Sequence, residues 1–92
     1  MIVRISTEGQ YRLKSSYLDR LNEIDNKLVS IVAEGNEKEF RKLFSRMIAM
    51  VKEKGTPVEY DELASSEVVL PPHDTTLAEA KELFAGKGLI PD

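Results

Sequence analysis

Few side chains in this 92-residue chain have the types and spacing that chemistry needs. There is one histidine, His73, and no cysteine, which excludes disulfides, a thiol nucleophile and a thiolate metal site. Asp74 follows His73, but a His-Asp neighbour pair is not a triad, and no serine or threonine is placed by the sequence to act as its nucleophile. One histidine among scattered carboxylates is also a poor metal site, so no metal is expected, and His73 reads as a solvent-exposed loop residue. The run Glu59-Tyr60-Asp61-Glu62 offers neighbouring carboxylates. Acid–base work would need one of them buried or held in place, and nothing in the pattern does either, so the run reads as solvated loop. Thr7-Glu8-Gly9 has a single glycine and no helix following it, whereas a phosphate-cradling loop needs several glycines and a helix N-terminus. No catalytic residue and no cofactor is therefore expected.

Charges make the remaining candidates. Residues 37–54 hold six basic and three acidic groups, a local +3, while residues 55–92 hold two basic and eight acidic groups, a local −6. The net charge is −3, so the chain is neither uniformly basic, as a nucleic-acid binder usually is, nor an acidic tail. Lys38, Arg41, Lys42 and Arg46 after a tight Gly-Asn turn resemble a DNA-reading helix only faintly. Glu37 and Glu39 stand where bases would be read, and nucleic acid is not an expected partner. A direct membrane-surface role is not expected either, because the apolar stripe of that helix is better used in a core.

The elements follow from periodicity. Around Thr7-Glu8-Gly9, a three-residue loop pairs Ile5 with Tyr11, Val3 with Leu13 and Arg4 with Arg12, leaving one wholly apolar face. Gly9 is then a turn residue in the left-handed region. Arg4 and Arg12 face each other in this register, and like charges across a strand pair repel. They are either solvated and splayed apart or a docking face for a carboxylate, in this chain or in a partner. A first helix is predicted over 17–34, capped by Ser16 with Asp19 three residues on, carrying Leu18, Leu21, Leu28 and Val32 inward, with Ile24 and Ile31 widening the stripe, and ending at Gly35. Asp25 falls within that stripe, either reaching water at its edge or buried in an internal ion pair with Arg4 or Arg12. Asn36 caps a second helix over 37–54, with Phe40, Leu43, Phe44, Met47, Ile48, Met50 and Val51 inward, and the two-residue link makes the helices an antiparallel hairpin. Thr56-Pro57 reads as a break, 58–66 as an acidic connection anchored by Tyr60 and Leu63, and 67–70 as a short strand stopped by Pro71-Pro72. Thr76, with Glu79 as capping-box partner, starts a helix over 77–85 with Leu77, Ala80, Leu83 and Phe84 inward, closed by Gly86, after which the apolar end is expected to pack back on the core. The expected fold is α+β in the order β-β-α-α-β-α, a single domain over 1–92. The polar start lacks the pattern of a secretory leader, and no apolar run approaches the ~20 residues that span a bilayer. A soluble, cytoplasmic domain is expected.

"MIVRI" and "EGQYRL", then "LDRLNEID", "GTP", "VVLPP" and the closing "GLIP" resemble, in that order and across essentially the whole chain, the phage-shock-protein A-associated family, PspAA. Thr7 stands where a small residue such as glycine is expected, and Ser66-Glu67 where Ser-Asp is usual. The resemblance implies a small accessory domain of envelope-stress systems, encoded beside or fused to a PspA-like coiled-coil protein that remodels membranes. It implies a binding module with that protein as partner, contact with the membrane only indirectly at its inner face, and no catalytic motif. Arg4 and Arg12 are the candidate partner-binding residues. A homo-oligomer is left open, and a winged-helix-like regulator or a small enzyme are the competing classes.

Overall fold

The computed structural model describes residues 1–59 and 68–84. They form β1 (Ile2–Ile5), β2 (Gly9–Arg12), a short 3-10 turn (Ser15–Tyr17), α1 (Leu18–Glu34), α2 (Glu37–Lys54), β3 (Thr56–Val58), β4 (Val68–Leu70) and α3 (Leu77–Leu83). The strands make one sheet in the order β3-β2-β1-β4. β1 runs antiparallel to β2 and parallel to β4, and β2 runs antiparallel to β3. The class is α+β, with the N-terminal hairpin, the helical hairpin, a later strand and a C-terminal helix in the expected order.

Alternation along the strands puts Val3, Ile5, Leu13, Val68 and Leu70 on one face of the sheet. That face is covered by the inward stripes of the helices: Leu21, Leu28 and Val32 from α1, Phe40, Phe44 and Met47 from α2, and Ala80 from α3. Leu83, expected inward, is instead 49% exposed, because Ala80 and Phe84 already fill the buried side of the short α3.

The hairpin register differs from the expected one. Ile5 pairs with Gly9, Arg4 with Gln10, Val3 with Tyr11 and Ile2 with Arg12, so the loop is Ser6-Thr7-Glu8. The shift is by two residues, which keeps every side chain on its face, and hydrophobic alternation is blind to it. A turn bond from the Glu8 N–H to the Ile5 carbonyl (2.9 Å) closes the loop. Thr7 takes the left-handed conformation (φ 65°), at the position where the family resemblance calls for a small residue, and Gly9 has φ 118°. Arg4 and Arg12 share a face but are not directly opposed.

Thr56-Pro57 is not a break. It belongs to β3, an edge strand in which Pro57 lies opposite Tyr11, and proline is tolerated at a sheet edge because a donor lost on the outer side leaves no ladder bond unmade. Gly55 ends α2 in extended conformation, and the reason it is glycine is space: a Cβ there would stand 2.5 Å from the Val51 carbonyl oxygen and 2.9 Å from the Tyr11 Cβ. Ser16 does not cap α1; the 3-10 turn leads directly into it, with Tyr17 at the N-cap and no side-chain bond. Gly35 closes α1 in the left-handed region, Asn36 accepts from the Glu39 N–H, and Thr76 and Glu79 form a complete capping box, all as expected. The expectations for Tyr60, Leu63, Asp61, Glu62, Ser66, Glu67, Gly86 and the closing apolar segment lie outside the described residues. Among the described residues, no helix is long and apolar enough to cross a membrane.

Candidate functional site: the open face of the sheet

Because Val3 and Ile5 point to the core, Arg4 points away from it, and its neighbours across the four strands point the same way. They form the row Val58, Gln10, Arg4, Val69. Arg4 is exposed, and Val69 is 51% exposed beside it. Ile2, on the same face, is buried, so the face is open around Arg4 rather than around the start of β1. No ionic partner of Arg4 stands among the described residues. Arg12 lies on the same face, opposite Thr56 and Ile2, and is exposed, but it is not free of partners.

A cavity of about 540 Å³ opens where this face meets the hairpin tip, with Arg4, Thr7, Gln10, Pro57 and Val58 among its lining. Gln10 Oε1 is buried there without a hydrogen-bond partner. A guanidinium with no ionic partner among the described residues, flanked by Gln10 and Val69, is suited to a carboxylate, which it holds with two parallel N–H bonds. Among the described residues, no group of three or more His, Cys, Asp or Glu side chains is arranged to hold a metal ion.

Asp25 is only 1% exposed, within the core-facing stripe of α1, so it does not reach water. It too has a partner.

One cluster was invisible in the sequence. Glu8, at the hairpin tip, takes the Lys52 ammonium of α2 at 2.5 Å, the His73 backbone N–H at 2.6 Å and His73 Nδ1 at 2.9 Å. An ionised carboxylate only accepts, so Nδ1 carries the proton in that contact. The Lys52 bond, then the His73 backbone bond, lower the Glu8 pKa from 4.5 to about 2, against the opposing effect of burial. The same contact with Glu8 raises the pKa of Lys52. His73 is exposed, as expected, but it is not merely solvated: it anchors the segment before α3 to the hairpin. Glu8 and His73 are 65 positions apart, and no local pattern links them.

Among the described residues, the helices lie on one face of a mixed four-stranded sheet and Arg4 stands on the other, the arrangement of a small α+β domain. The chain belongs to the PspA-Associated protein family, PspAA, whose match covers residues 1–92. No curated protein and no solved structure shows significant similarity to it.

Proposed function

We propose that this chain is a non-catalytic accessory domain that binds a PspA-like coiled-coil protein in the envelope-stress response. Family membership over residues 1–92 is the observation that carries the reading, since association with PspA is what unites the family. The domain works in the cytoplasm and meets the inner face of the membrane only through that partner. The contact is placed on the open sheet face, where Arg4 and Arg12 meet carboxylates on the surface of the partner's helices. Electrostatic contacts of this exposed kind weaken as salt screens them.

Co-purification with the PspA-like protein from the same genome tests the reading. Binding is expected, falling as salt rises, and Arg4→Glu with Arg12→Glu is expected to abolish it while the domain stays folded. A melting curve on the same variant guards the interpretation, because Arg12 has a contact of its own. Undiminished binding by the folded double variant removes this face from the interface, and no binding by the wild type removes the reading.

A further inference from the structure

A second surface lies on the far side of the molecule from the sheet face. Near the α1–α2 turn, a groove of about 180 Å³ runs between the two helices, lined by Lys27, Ile31, Glu39, Lys42, Leu43 and Arg46. Ile31 and Leu43 are half-buried and form its floor, while Lys27 from one helix and Lys42 and Arg46 from the other are exposed along its walls. None of the three cations has an ionic partner among the described residues.

Helix stability accounts for only part of this arrangement: Glu39 stands three residues before Lys42, but no acid of α2 stands three or four residues from Arg46. Lys38, Lys42 and Arg46 recur every four residues on α2, and like charges at that spacing each cost a helix roughly 0.2–0.5 kcal/mol. Lys38 also lies in the first turn of α2, where the helix dipole disfavours a cation. Glu39 is the one acid in the lining, and it belongs to the first turn.

We infer that this groove docks an acidic amphipathic helix. A furrow between two antiparallel helices has the shape that a third helix fills, its side-chain ridge entering the groove at the usual interhelical spacing. The aliphatic floor takes apolar residues repeating every three to four positions. Cations on both walls call for acidic residues flanking that apolar stripe on both sides, the charge pattern that sets partner choice in coiled coils. A lipid surface fits less well, because membrane-binding helices project their apolar side chains beyond the charged ones, and here Ile31 and Leu43 sit between the cations. The inference rests on the groove alone, so it and the partner reading of the sheet face can fail separately.

The test uses the full chain and a labelled synthetic helix with leucine at heptad positions a and d and glutamate flanking them. A charge-inverted twin with lysine in place of glutamate, and vesicles of mixed phosphatidylglycerol and phosphatidylcholine, serve as the other probes. By fluorescence anisotropy the acidic helix is expected to bind and to weaken with salt. Lys42→Glu with Arg46→Glu should weaken it about tenfold or more, the effect of losing two partly exposed ion pairs. Lys27→Glu, on the opposite wall, should weaken it as well, and Arg4→Glu should leave it unchanged. All four positions are exposed, and circular dichroism melting confirms that each variant is folded. Absence of binding at low salt, equal binding of the lysine twin, insensitivity to both wall variants, or binding to vesicles without binding to the acidic helix would each overturn the inference.

Discussion

Glu8 ties together three segments that are distant in the sequence. Its carboxylate joins the hairpin tip, the last turn of α2 and the segment before α3 through three bonds. The pKa of about 2, against 4.5 unperturbed, means that the folded state favours the ionised form. The stabilisation is therefore fully present above pH 4.5 and is lost as pH falls through the folded value near 2. Glu8→Gln is expected to lower stability by about 1–2 kcal/mol at pH 7, discounted for a site close to solvent. Urea unfolding across pH should show the wild-type advantage shrinking toward zero near pH 2; a gap that stays constant with pH would mean that the ionised carboxylate is not its source. None of this was legible, since Lys52 and His73 are 44 and 65 positions away from Glu8. The turn itself was legible as a turn, through Gly9, but the left-handed position with φ 65° is Thr7, a β-branched residue that resists it. Thr7→Gly should accordingly raise the thermal midpoint, by an amount corresponding to about 1 kcal/mol, while Gly9→Ala should lower it by about 1 kcal/mol or more. A Thr7→Gly variant that melts below the wild type would show that the Thr7 side chain makes a contact outweighing its strain.

Among the elements, those with chemical punctuation at their ends were readable and those defined by tertiary pairing were not. Gly35, Asn36, Thr76 and Glu79 each act locally, within four residues, and each does what its residue type suggests. β3 was missed because Pro57 reads as a breaker; only the neighbouring edge of β2 makes Thr56–Val58 a strand. The register was missed because a two-residue slip leaves both faces of the hairpin chemically unchanged. Gly55 is a mixed case: it was legible as a helix stop, and what demands glycine is both the Val51 carbonyl of its own helix and Tyr11 of β2, packed against the end of α2. Gly55→Ala should cost about 1–3 kcal/mol, the range for forcing a methyl group into packed surroundings, because the nearest obstacles are a backbone oxygen and a Cβ rather than a flexible side-chain end. Gly35→Ala meets no atom within 4 Å and should cost only the left-handed strain, about 1 kcal/mol. Equal losses for the two variants, measured by urea unfolding, would contradict the steric account of Gly55.

At the scale of the whole molecule, every helix among the described residues lies on one face of a four-stranded sheet, so one core underlies both of the surfaces proposed above, the sheet face with Arg4 and the groove between α1 and α2. Phe44 sits at the centre of that core with no exposure, and its ring stacks on Phe40 one turn earlier, with centroids 5.2 Å apart and planes within 10°. Phe44→Ala removes that stack and opens a cavity, at an expected cost of about 3–5 kcal/mol. A domain of this size has roughly 5–10 kcal/mol in total, so the variant keeps only a small margin and populates the unfolded state appreciably on warming. Loss through unfolding acts on both surfaces at once: binding at the sheet face and at the helical groove should decline together, in step with the fraction folded. The charge reversals are different, since Arg4→Glu and Lys42→Glu each touch one surface and leave the core intact. Measuring both binding activities of Phe44→Ala against its circular dichroism melting curve separates the two modes. If Phe44→Ala melts like the wild type yet loses binding at either surface, α2 presents Phe44 to a partner and the core is not where the packing places it.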